Sequence, residues 1–132
     1  MLVASSVVRM LLLLSGLATV VGAMQSAPAR AENAPVLATD SRLAGDDAST
    51  RLVVDLTGRV DFEVFALADP ARVVVEMPEV QFRMAASRGQ EGKGLVTAYR
   101  FGLFAPGRSR IVLDTAGPVR VEKSFVLDAA DG

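Results

Sequence analysis

The sequence predicts an all-β protein, two small antiparallel sheets packed as a pseudo-symmetric sandwich and preceded by a signal peptide. Three observations carry this expectation. From Ser49 onward, short runs alternate apolar and polar residues between breaks made by Gly and Pro. No segment after the leader carries the apolar stripe of an amphipathic helix. RLVVDLTGRV, Arg51 to Val60, returns as RIVLDTAGPV, Arg110 to Val119, a repetition that suits two related sheets facing one another.

The N-terminus opens with Arg9 as its one charge before an apolar block from Met10 to Ala23, about 14 residues against the roughly 20 that a spanning helix needs. Small residues at Ala29 and Ala31 suit a peptidase that cuts before Glu32. Residues 1–31 therefore read as a secretory signal peptide, and with no Arg-Arg pair ahead of the block the general secretion route is expected. That places the mature chain in the periplasm, with no membrane span after cleavage. Loss of Arg9 and Arg30 takes the net charge from −1 to −3, and such a chain has none of the clustered basic excess of a nucleic-acid binder. It has no cysteine, so its core must hold it without disulfides.

Residues 32–48, ENAPVLATDSRLAGDDA, keep no sustained period and read as a flexible leader. The β domain is expected over residues 49–132. RLVVDL points Leu52, Val54 and Leu56 to one side, Thr57-Gly58-Arg59 turns, and VDFEV points Val60, Phe62 and Val64 inward, a pattern that reads as a hairpin. Asp69-Pro70-Ala71 breaks the chain before RVVVEM, which is β-branched and stopped by Pro78. SRGQEGKG, Ser87 to Gly94, reads as a flexible connection. LVTAYRFGLF, RIVLDT and PVRVEKSFVL supply three further strands, with breaks at Ala105-Pro106-Gly107 and Ala116-Gly117-Pro118.

Sliding the first copy by 59 residues superposes Arg51 on Arg110, Val53 on Val112, Asp55 on Asp114, Gly58 on Gly117, Val60 on Val119 and Glu63 on Glu122. Hydrophobic alternation alone aligns valines; it does not place an Arg, an Asp, a turn Gly and a Glu in one register. The duplication also exposes a shortfall. After Asp69 the first copy continues PARVVVEMP, whereas after Asp128 the second has AADG, so its last strand is missing.

Without His or Cys, the chain holds no His/Glu zinc site, no Cys nucleophile and no Ser-His-Asp relay. Gly92-Lys93 is followed by Gly94 where a phosphate loop needs Ser or Thr. Asp55 and Asp114, related by the repeat, could form a glycosidase-like carboxylate pair, but each ends a strand beside a turn Gly, where a carboxylate serves the backbone. The expectation is a non-catalytic chain with no cofactor. The candidate ligand contacts are the strand arginines Arg51, Arg72, Arg100 and Arg110, whose guanidinium forks suit carboxylates, with Tyr99 as a possible stacking platform for a sugar ring or else a core residue. Solvated Arg-Asp pairs are the plainer reading of those arginines.

Thr50 to Val80 with Tyr99 to Asp114 resembles the AMIN domain, through R-x-V-x-D-L-x-G, F-x-L-x-x-P-x-R-x-V-V at Phe65 to Val75 and R-F-G-x-F-x-P-G-x-x-R at Arg100 to Arg110. The resemblance implies two symmetric antiparallel sheets and a peptidoglycan-binding, targeting role in an exported N-acetylmuramoyl-L-alanine amidase that acts in cell-wall hydrolysis and daughter-cell separation at division. Zinc is then expected only in a separate catalytic domain. The same module stands before secretin pores of type IV pilus machines, so a docking role remains the alternative, with divisome or secretin proteins as further partners.

Overall fold

A computed structural model describes residues 8–15 and 35–128 of the chain. Nine strands, β1 (Val8–Ser15), β2 (Val36–Gly45), β3 (Ser49–Leu56), β4 (Glu63–Leu67), β5 (Arg72–Pro78), β6 (Val80–Phe82), β7 (Val96–Ala105), β8 (Arg108–Thr115) and β9 (Arg120–Asp128), form the described fold, with one 3-10 turn at Ala86–Gly89. They make two sheets, one ordered β6-β2-β3-β1-β9 and the other β4-β5-β8-β7. The inner faces meet in one core. Met10, Leu12, Leu14, Leu52, Val54 and Leu56 come from the first sheet and Val73, Val75, Met77, Ile111 and Leu113 from the second, all buried. The expected all-β sandwich is therefore the fold.

The duplication governs the topology. β2 to β5 form one repeat and β7 to β9 the other, and each sheet takes two neighbouring strands from one copy against strands of its mate. The 59-residue slide lays β3 on β8, so buried Leu52 and Val54 become buried Ile111 and Leu113. Between β2 and β7 the offset falls to 58, because Phe104 is an unpaired extra residue in β7, lying between the Leu103↔Ser109 and Ala105↔Arg108 pairs. Thr39 and Thr97 then correspond, each bulged from its ladder and each donating its hydroxyl to the carbonyl of the repeat Asp, Asp55 at 3.4 Å and Asp114 at 3.2 Å.

Three expectations are corrected. Residues 32–48 are not a flexible leader throughout, since Val36–Gly45 is a strand paired along β3. Its alternation was hidden because the bulge at Thr39 breaks the period between the inward residues Val36 and Ala38 and the inward residues Ser41 and Leu43, two of them small or polar. The Thr57-Gly58-Arg59 turn does not close a hairpin: β3 and β4 lie in different sheets. Residues 57–62 cross between the layers and seat Val60 and Phe62 against the core, which gives the segment the inward pattern read from sequence without a ladder over Val60 to Phe62. The hairpins of this repeat are β2 with β3 and β4 with β5.

Ser87 to Gly94 is not a loose connection either. Gly89 approaches Tyr99 so closely that a Cβ would lie 1.7 Å from the Tyr99 carbonyl oxygen, and Gly94, at φ +59°, packs against Thr50 and Asp46. Only glycine fits both positions. Within residues 1–31, Val8–Ser15 forms β1, a central strand between β3 and β9. Val8, Met10, Leu12 and Leu14 are buried there, at about 1.5 to 3 kcal/mol each by area burial. The expected cleavage site at Ala29-Arg30-Ala31 lies outside the described residues.

Candidate binding faces

With Val73, Val75 and Met77 turned to the core, strand alternation sends Arg72, Val74 and Glu76 to the outer face of the four-stranded sheet. Ladder pairing then builds rows across that face. One row reads Arg100, Val112, Val74, Phe65 and the next Gly102, Arg110, Glu76, Glu63. Arg110 donates from Nη2 to Oε2 of Glu76 at 2.6 Å while Arg108 donates to Oε1 at 3.2 Å. The guanidinium of Arg110 also lies 3.8 Å from the centroid of Phe104, held between a carboxylate and a π face. Nε of Arg110 is buried with no hydrogen-bond partner. Opposite Arg110, Gly102 offers no side chain, and a Cβ placed there would meet nothing within 4 Å.

Beside this cluster, Arg100 reaches Asp114 Oδ2 at 2.7 Å with its side chain 64% exposed. Such a pair is solvated and contributes little to stability, so its guanidinium can trade Asp114 for another carboxylate at small cost. Phe104 and Phe65 are 41% and 36% exposed. The face thus combines guanidinium forks with open aromatic rings, which suits a ligand that carries both carboxylates and ring faces. Glu63 and Glu76 keep it from being strongly basic.

The outer face of the five-stranded sheet repeats the arrangement. Arg42, Val53, Leu11 and Phe125 line up as Arg100, Val112, Val74 and Phe65 do. Phe125 owes its place to a register shift in β9 between the Leu13 and Leu14 pairings, which advances it by one residue into line. Arg9 and Arg42 both reach Asp55, at 3.2 and 3.3 Å, and Arg51 is exposed on the same face.

The candidate residues read from sequence separate accordingly. Arg100 and Arg110 share one face with Arg72, but Arg72 spends its guanidinium on the carbonyls of Ala68 (3.4 Å) and Pro70 (2.7 Å), closing the β4–β5 turn. Arg51 belongs to the opposite face. Tyr99 is buried, 4% exposed, with its hydroxyl 2.6 Å from that of Ser41 and its ring 6.4 Å from Phe101. A sugar cannot stack on it, so the core alternative is the one found. Burial raises its phenol pKa above the ordinary value, against an opposing hydrogen bond from Ser41 and the nearby Arg88 charge. Asp55 and Asp114 sit on the outer faces of different sheets, each paired with arginine, and do not face one another as a catalytic pair would.

Sequence reading missed Phe104 and Glu76 as parts of the cluster. The signal for Phe104 was the change of repeat offset from 59 to 58, which marks a bulge. A shallow groove beside β6, lined by Thr39, Arg83, Arg88 and Glu91 among others, has Arg88 already paired with Asp40 at 2.6 Å. Among the described residues no group of three or more His, Cys, Asp or Glu could hold a metal ion, and no helix is long and apolar enough to cross a membrane.

A duplicated β-sandwich that displays arginine and phenylalanine on flat outer sheets defines a binding module. The chain belongs to the AMIN domain family, whose model matches residues 40–131. AMIN domains are peptidoglycan-binding and targeting modules found in amidases and secretins, and they occur in exported proteins. Neither the curated proteins nor the solved structures contain a match.

Proposed function

We propose that this chain is the non-catalytic peptidoglycan-binding and targeting module of a periplasmic N-acetylmuramoyl-L-alanine amidase, exported by its N-terminal leader and acting in cell-wall hydrolysis and daughter-cell separation. The observation that carries the reading is the Phe104-Arg110-Glu76-Arg108 cluster, displayed on the outer sheet of a chain that belongs to a peptidoglycan-binding family. Stem-peptide carboxylates take the place of Glu76 or Asp114 on the arginine forks, and sugar rings lie on Phe104 and Phe65. Hydrolysis and its zinc belong to a separate domain, since this sequence has no His and no Cys.

Co-sedimentation of the full chain with purified sacculi at low and high salt tests the reading. Pelleting at low salt that weakens at high salt is expected from exposed charge contacts. A folded chain that stays in the supernatant at both salts overturns it. Recovery of the protein from a periplasmic fraction with Glu32 as its first residue is the expected result for export.

A further inference from the structure

The duplication provides an internal standard for the outer face of the four-stranded sheet. Gly102 corresponds to Ala44 and Arg110 to Arg51, and the two residues are paired in each copy. The second copy alone carries the extra residue Phe104, two places beyond Gly102. A side chain lost and an aromatic ring gained thus fall together, beside the two arginines that Glu76 gathers.

The result is a notch in the face. A Cβ on Gly102 would meet no atom within 4 Å. Arg100 precedes Gly102 by two residues and stands on the same face. Arg110 lies across the ladder from Gly102, and the Phe104 ring, its centroid 3.8 Å from the Arg110 guanidinium, closes the far side. Arg100 and Arg110 are diagonal neighbours, which in an antiparallel pair lie roughly 7 to 8 Å apart, within reach of one bridging anion for side chains of this length.

We infer, given the peptidoglycan-binding role proposed above, that the notch is the subsite for the C-terminal carboxylate of a stem peptide whose last residue is small, and that Gly102 sets this preference. The carboxylate bridges Arg100 and Arg110, and the last side chain lies over Gly102 against Phe104. A chain end fits because the notch has the room of one missing side chain. A carboxylate borne in mid-chain would bring the peptide on both sides against Arg100 and Phe104.

Asp114, not Glu76, gives way to the ligand. Glu76 holds Arg110 at 2.6 Å and Arg108 at 3.2 Å with its side chain 14% exposed, whereas the Arg100–Asp114 pair is 64% and 36% exposed. An exposed pair exchanges partners at little loss; a carboxylate that holds two guanidiniums does not. Arg110 keeps donors to spare, since Glu76 engages Nη2 and Nε has no partner.

The test is calorimetric titration of the full chain with three muropeptides: one whose stem ends in alanine, its C-terminal amide, and one that ends in phenylalanine. The alanine form should bind best, the amide at least about tenfold more weakly and the phenylalanine form at least about threefold more weakly. Gly102→Ala should weaken the alanine form at least about fivefold, and Asp114→Asn should strengthen it about two- to fivefold. On binding to the wild type, the side-chain carboxyl ¹³C resonance of Asp114 should move and that of Glu76 should stay. Equal affinity for acid and amide, unchanged affinity in a folded Gly102→Ala, or movement of Glu76 with Asp114 still, overturns the subsite and leaves the peptidoglycan-binding role standing. If Gly102→Ala does not fold, the three peptides and the two carboxyl resonances decide. A wild-type chain that pellets with sacculi yet binds none of the three overturns the subsite alone; one that does neither overturns both.

Discussion

The hydroxyls of Ser41 and Tyr99, 58 residues apart in the chain, share a buried hydrogen bond of 2.6 Å between the two sheets. The two residues occupy equivalent ladder positions of the two repeats, Ser41 opposite Val54 and Tyr99 opposite Leu113. Equivalent residues that touch must lie beside the pseudo-twofold axis. The bond therefore ties β2 to β7 where the two sheets meet, with both side chains buried.

Ser41→Ala should destabilise the protein by about 1 to 3 kcal/mol, because the Tyr99 hydroxyl is left buried without its partner. Denaturant melts of the two proteins measure it. The double change Ser41→Ala with Tyr99→Phe should cost less than the sum of the single changes, since it removes both polar atoms.

The raised pKa of Tyr99, caused first by burial, gives a pH dependence of definite sign. The folded state holds the phenol proton above pH 10, where the unfolded state has released it, so stability falls as pH rises through the unfolded value. Tyr99→Phe should flatten that alkaline limb in melts taken from about pH 9 to 11.

At the acid end Asp46 acts in the opposite sense. Its carboxylate accepts from the amides of Ala48 and Ser49 at 2.9 and 3.1 Å, which holds its pKa below the ordinary value. Its stabilising contribution is complete above its unfolded pKa and is lost as pH falls through the lower, folded one. Asp46→Asn should therefore lower stability near neutrality and remove part of the acid slope below about pH 4.

Two glycines make a contrast that checks the packing. Gly89→Ala drives a methyl into the Tyr99 carbonyl and should cost at least about 1 to 3 kcal/mol. Gly117→Ala, with nothing within 4 Å of the new carbon, should change stability by no more than about 0.5 kcal/mol. Thermal melts of the pair read the difference.

The strands with strong apolar alternation, around Leu52 and Val54, Val73 and Val75, Ile111 and Leu113, were legible because each inward residue is large and each break holds Gly or Pro. β2 was not, since Ala38 and Ser41 carry little hydrophobic signal and its repeat mate lies at a different offset. The four-leucine run of β1 had no alternation to read, and a short, continuous apolar block does not by itself mark a strand. The place for one more strand was nevertheless visible in the repeat. Arg100 and Arg110 could be assigned to a face from alternation, but Tyr99 could not be assigned to core or surface, because its partner Ser41 is 58 residues away.

The most direct measurement of the central claim is an amide-proton NMR titration of the full chain with soluble muropeptides, one series with and one without free stem-peptide carboxylates. The outer-sheet account predicts saturable shifts at Arg100, Gly102, Phe104, Arg108 and Arg110 that shrink strongly when the carboxylates are blocked and disappear in Arg108→Glu with Arg110→Glu. Saturable shifts confined to the groove around Arg83 and Arg88, or none at any residue of a folded chain that still pellets with sacculi, would contradict it.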